Sequence, residues 1–186
     1  MEFTASPSSS VEISSAIWVA SVERIAELLG KAGLQPTMDP RTRARLLRRF
    51  VYRYVNAKSL GVGFGSASEV ARTRAGDCTE HAVLLAALLR ADGIPSRVVS
   101  GLIYAERFEG RDDILGYHMW TQAWLTSDDG EPGWFDFDAT LGGDRPTDAT
   151  HIALDISTLD DGEAVNSMLR LTPMIGRLNV SVESFE

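Results

Sequence analysis

Gly76-Asp77-Cys78-Thr79-Glu80-His81-Ala82-Val83-Leu84-Leu85-Ala86-Ala87-Leu88-Leu89-Arg90-Ala91-Asp92-Gly93-Ile94-Pro95 reads as one helix with both of its ends written into it. Asp77 is a helix-capping residue, and Glu80, three positions later, can reach back to the cap residue's own N–H, the pattern of a capping box. At the other end Gly93 supplies a left-handed residue, Ile94 can fold back on the last turn, and Pro95 forbids continuation. The helix is therefore expected from about Cys78 to Asp92. From Ala82 to Leu89 it is apolar on every side, so it belongs in the centre of a domain rather than on its surface.

The pattern on either side of this helix differs. Upstream, Ile17 to Gly30 and Thr42 to about Val55, the latter following Pro40, read as helices that cap the domain. Gly61 to Gly65 reads as a glycine-rich turn, and Ala67 to Thr73 as a short helix leading into the central one. Downstream, the periodicity drops to two. Arg97 to Tyr104, His118 to Leu125 and Trp134 to Ala139 read as strands, separated by turns at Ser127 to Gly133 and Leu141 to Pro146. Leu169 to Leu171 and Leu178 to Val182 are expected to add two more. Helices first and antiparallel strands afterwards imply an α+β fold with the buried helix packed on a sheet. The Ser-rich start, residues 1–14, reads as a flexible leader, and residues 15–186 as a single domain.

Composition excludes several roles. A chain of 186 residues that is 44% hydrophobic and 24% charged is ordinary for a globular domain. The longest apolar run, Ala82 to Leu89, is too short to cross a bilayer and lacks the flanks of a signal peptide. At face value the expected compartment is the cytoplasm; excision from a longer chain would leave the compartment open. A net charge of -8 opposes binding to nucleic acid or anionic lipid, so neither is an expected partner. The local exception is six arginines between Arg41 and Arg53. Arg41, Arg45, Arg48 and Arg49 share one side of a helical reading, while Leu46, Leu47, Phe50, Val51 and Tyr54 share the other. That pattern predicts a solvated face on an amphipathic helix.

Cys78 is the only cysteine, which rules out an internal disulfide and leaves a thiolate zinc site short of ligands. No metal or cofactor is expected. Its address at the start of a helix favours a thiolate, because unpaired N–H groups and the helix dipole stabilise negative charge there. His118 opens a strand in which Trp120, Gln122 and Trp124 follow on the same face. In Trp134-Phe135-Asp136-Phe137-Asp138 the Trp and both Asp side chains face one way and the Phe side chains the other. If this strand pairs with that of His118, a carboxylate from it can orient the imidazole and stabilise its protonated form. By facing direction alone, Asp136 and Asp138 both qualify. His81 reads as structural, and nothing around His151 dictates a role.

Residues Gly76 to Ala82 together with Leu88 to Gly101 resemble the cysteine segment of bacterial transglutaminase-like domains. His118-Met119-Trp120 resembles that family's His-x-Trp, and Trp134 through Asp138-Ala139-Thr140 resembles its strand ending in Asp-x-Thr. His151-Ile152 resembles a terminal His-Ile pair of the bacterial members. Together the likeness covers roughly Ala67 to Leu154. It implies a papain-like arrangement, with Cys78 as nucleophile, His118 as general base and later acid, and Asp138, rather than Asp136, as the orienting carboxylate. It also implies thiol-dependent acyl transfer at amide bonds of a protein or peptide substrate, by hydrolysis in preference to crosslinking. The other class of function is a noncatalytic binding or assembly module that keeps the fold. Ala139 stands where the family commonly has proline.

Overall fold

The computed structural model describes residues 21–57, 65–108, 110–144 and 147–159. The expected leader, the start of the first helix, most of the turn from Gly61 and the strands expected after residue 160 lie outside these residues. Within them, helix α1 occupies residues 21–30, followed by α2 (Pro40–Tyr54), α3 (Ala67–Thr73) and α4 (Cys78–Ala91). Four strands follow: β1 (Ser96–Phe108), β2 (Arg111–Thr126), β3 (Pro132–Phe137) and β4 (His151–Ser157). They form one antiparallel sheet in the order β3-β2-β1-β4. The fold is α+β, with α4 packed against the sheet.

Helix α4 is bounded as its sequence dictates. The Asp77 side chain accepts the Thr79 N–H at 2.9 Å, and Glu80 Oε2 accepts the Asp77 N–H at 3.0 Å, completing the capping box. At the C-terminus the Ile94 N–H reaches Leu89 O (2.8 Å) and the Gly93 N–H reaches Arg90 O (3.0 Å), with Gly93 at φ +80°. This is the paired bonding of a Schellman end, which only a left-handed residue allows without strain. Leu84, Leu85, Leu88 and Leu89 are fully buried among Leu47 and Val51 of α2, Ala123 and Leu125 of β2, and Phe137 of β3. Two hydroxyls fix the helix against the sheet: Thr121 Oγ1 donates to Ala82 O and Ser96 Oγ to Ala86 O, each at 2.9 Å.

Four expectations change. Helix α2 starts at Pro40 rather than Thr42, because proline's missing N–H costs nothing in the first turn and Asp39 caps the Thr42 N–H. Arg48 does not lie on a solvated face; it is 1% exposed, and its guanidinium donates to the carbonyls of Asp138, Leu141 and Gly143. Five N–H donors make such burial tolerable where a run of carbonyls faces the helix. The third change is β4, which pairs along the free edge of β1 with a register shift beside Gly101. The hairpin of β1 and β2 also runs further out than the apolar alternation does, its outer part carrying Arg107–Asp112 and Tyr104–Asp113 contacts.

The approach of β4 depends on Gly101, since a Cβ there would lie 2.1 Å from Ile152 O and 2.8 Å from the Trp120 ring. Neither a ladder carbonyl nor a buried indole can give way by that much. Gly101→Ala should therefore destabilise the protein by about 1–3 kcal/mol, the usual range for forced overpacking. A thermal melt checks this; an unchanged midpoint would show that β4 can retreat without cost.

Candidate active site

Strand β2 has two faces with different tasks. Met119, Thr121, Ala123 and Leu125 are buried, with Met119 in a small cluster against which Cys78 packs and Ala123 and Leu125 in the main core. The alternate residues, His118, Trp120, Gln122 and Trp124, form the opposite row. Register pairs Gln122 with Asp136 and Trp124 with Trp134 of β3, so the two rows meet on one face. Asp136 Oδ1 accepts Trp120 Nε1–H at 2.7 Å and Gln122 Nε2–H at 2.8 Å. Its carboxylate is thus spent on positioning Trp120 and Gln122.

Asp138 lies one residue past the end of β3 and is completely buried. Its Oδ2 stands 2.7 Å from His118 Nε2 and 3.1 Å from His151 Nε2, while Oδ1 accepts both the N–H and the Oγ1–H of Thr140 at 2.7 Å each. An ionised carboxylate only accepts, so both facing imidazole nitrogens carry hydrogen. Thr140 is the threonine of the Asp-x-Thr pattern, and its two bonds fix the carboxylate's plane.

Cys78 is half-buried at the first position of α4, near enough to His118 for its side chain to act on the imidazole. With Nε2 engaged by Asp138, Nδ1 is the imidazole nitrogen left for the thiol. Burial pushes the His118 ring toward the neutral form, but the bonds and charges of Asp138 and Cys78 outweigh it and raise its pKa to about 9. Burial likewise favours the neutral form of Asp138, but bonds from His118, His151 and Thr140 hold the carboxyl well below the usual range. Glu80 Oε1 accepts the Gly65 N–H at 2.9 Å, and burial pushes its carboxyl upward despite the amides it receives.

The structure thus gathers Cys78, His118 and Asp138, and leaves Asp136 out of reach of the role that facing direction alone had allowed it. His81, fully buried with Nδ1 on Asp77 O at 2.5 Å, is part of the helix start. His151 lies on the site, where sequence reasoning had only its family likeness to point to it. Arg48 was hidden by the helical periodicity of its neighbours. His118, Asp138 and His151 offer ligand atoms within 4.8 Å of one another, and N–H donation from both rings to one carboxylate oxygen accounts for that convergence.

Because His118 is raised by its partners, its contribution to stability is complete below the ordinary value of 6.5 and is lost as pH rises through about 9. Ring NMR on the three histidines should give His118 a midpoint near 9, and Asp138→Asn should lower it toward or below 6.5. The stability gap between wild type and Asp138→Asn should narrow over the same alkaline window. A wild-type midpoint at the ordinary value would contradict the pairing.

A family model of the transglutaminase-like superfamily matches residues 30–139, more than half of the 186-residue chain. Uncharacterised proteins of Mycobacterium bovis and Mycobacterium tuberculosis are 30% identical to it over 100 residues, which is 52% of this chain and 31% of theirs. The chain therefore spans about a third of the length of these relatives. Among solved structures, a candidate cysteine protease from Cytophaga hutchinsonii has a similar fold, with a TM-score of 0.55 and 22% identity, covering 78% of this chain and 45% of that one. By its fold, its motifs and the extent of the family match, the chain belongs to the transglutaminase-like superfamily.

Proposed function

We propose that the domain catalyses thiol-dependent acyl transfer at amide bonds, with Cys78 as nucleophile, His118 as acid and base, and Asp138 as the carboxylate that orients His118. The observation that carries this reading is a buried imidazole–carboxylate pair, His118 and Asp138 at 2.7 Å, beside the sole cysteine at a helix start. A binding module has no need of that sequence of contacts. In the proposed reaction Cys78 Sγ attacks the amide carbonyl, and His118 delivers its proton to the leaving amine. The resulting thioester is opened by an acceptor whose proton His118 removes. The Cys78 backbone N–H, at the first helical position, is suited to bind the oxyanion, a contribution of a few kcal/mol in the transition state.

Water is our choice of acceptor, which makes the activity peptide or amide hydrolysis on a protein or peptide substrate. The reading draws on the candidate protease that shares the fold, whereas an amine acceptor would give crosslinking. Labelled casein incubated with and without a fluorescent primary amine distinguishes the two: hydrolysis yields new peptide ends, and transfer yields amine-tagged casein.

Cys78→Ala should reduce turnover by about a thousandfold or more while changing stability by less than about 1 kcal/mol, since caps and apolar burial specify the helix. Circular dichroism and the casein assay should separate cleanly. Retained activity would remove Cys78 from the reaction.

The two carboxylates of the β3 segment should fail differently. Asp138→Ala should cost about 10³–10⁴ in rate through loss of imidazole orientation. Asp136→Ala should instead cost about 1–3 kcal/mol of stability, because it leaves buried Trp120 Nε1–H unpaired. Equal rate losses with equal stability would refute the division of roles.

A further inference from the structure

His151 is the first residue of β4, and its side chain is only 3% exposed. Its Nε2 faces Asp138 Oδ2 at 3.1 Å. Its Nδ1 faces Asp148 Oδ1 at 3.1 Å, Asp148 O at 3.2 Å and Thr147 Oγ1 at 3.3 Å. A carboxylate oxygen and a carbonyl oxygen cannot donate, so a bare lone pair on Nδ1 would point at two acceptors. The arrangement is satisfied when both ring nitrogens carry hydrogen. His151 is then a buried imidazolium held between two carboxylates. Burial opposes this, and the Asp138 and Asp148 contacts more than offset it, raising His151 above its ordinary value.

This cation is close to the proposed reacting groups. The His151 and His118 ring centroids are 5.7 Å apart, and the Trp120 ring packs edge-on with its centroid 5.0 Å from that of His151. Among the described residues, the titratable and charged groups facing the cluster are Cys78 at the start of α4, Asp138 after β3, His118 on β2, Asp148 before β4 and, behind Asp138, Arg48 on α2. Two imidazolium rings thus share one carboxylate oxygen. Each lessens the hold that Asp138 has on the other's proton.

We propose, building on the Cys78–His118–Asp138 reading, that His151 is a positioning residue that acts on His118 through Asp138. Its N–H fixes Oδ2 in place, and its positive charge limits how firmly the carboxylate retains the His118 proton, leaving that proton transferable. A histidine locked to an unopposed carboxylate would be a good base and a poor acid, and the reaction needs both. Asp148 completes the device by holding the far nitrogen of His151. Asp138 stays ionised throughout and exchanges no proton.

The test uses the whole chain and needs no identified substrate. His118 ring titration by NMR is followed in wild type, His151→Gln and His151→Phe, with alkylation of the sole cysteine by iodoacetamide as a second readout. Glutamine can still donate to Asp138 but carries no charge, so His151→Gln should raise the His118 midpoint by about one unit, the scale of a like-charge effect at this range. His151→Phe, which removes charge and hydrogen bond together, should raise it at least as far and broaden the His118 signals. Asp148→Asn, at a partly exposed position outside the triad, should lower the titration of His151 itself and raise that of His118, and it decides the matter if the His151 variants do not fold. His118→Ala reports on the underlying reading: it should slow alkylation at neutral pH. Unchanged alkylation in His118→Ala would overturn the triad itself. If His118→Ala slows alkylation while the His118 midpoint is unmoved in every folded His151 and Asp148 variant, the triad stands and the role given to His151 fails.

Discussion

The burial of one carboxylate organises this domain. Asp138 has no exposed surface, and a buried ionised group is tolerated only when its hydrogen-bonding capacity is met. Four bonds to its side chain come from His118, His151 and Thr140, and Arg48 holds its backbone carbonyl. Those partners come from β2, β4, the turn after β3, and α2. Removing any one leaves a charge or donor unpaired in a site that water cannot easily reach, a penalty of about 1–3 kcal/mol or more. The same requirement that stabilises the fold therefore fixes the imidazole beside Cys78.

Two further constraints deliver the thiol to that imidazole. Helix α4 is anchored along its length by leucines from the domain core and at its start by reciprocal bonds between Asp77 and Glu80. Its depth is set by the hydroxyls of Thr121 and Ser96 on helix carbonyls. Strand β2 then uses its period of two to pack against α4 with one row and to present His118 and Trp120 with the other. The thiol and the imidazole are brought together by elements that the core already holds rigid, which is the arrangement a preformed site requires.

Positive charge is concentrated behind the carboxylate in a chain whose net charge is -8. Arg48 and His151 are both largely withdrawn from solvent, and neither is explained by packing alone. Buried ion clusters are an inefficient source of stability, since desolvation cancels much of their attraction. Their value here is positional: the guanidinium fixes the 138–143 segment through three carbonyls, and the imidazole fixes one oxygen of the side chain.

Local signals were enough for the parts of this protein that are locally determined. The caps and apolar body of α4, the alternation of β2 and the Trp-Phe-Asp-Phe-Asp strand are legible because each follows from a short-range period or a cap rule, and together they specify the α+β order, the candidate residues Cys78 and His118, and a carboxylate that is either Asp136 or Asp138. Facing direction could not separate Asp136 from Asp138, and the family pattern did so only by likeness; in the structure the strand ends between them, and Asp136 is taken by Trp120 and Gln122 while Asp138 turns to His118. Arg48 looked solvated because periodicity on one helix carries no information about a loop some 90 residues later in the chain. Strand β4 was illegible for the same reason, and His151 was marked only by its family likeness, with no role attached. A strand that pairs along an edge owes its existence to the glycine opposite, and a histidine owes its charge to carboxylates that only the folded chain brings within hydrogen-bonding distance.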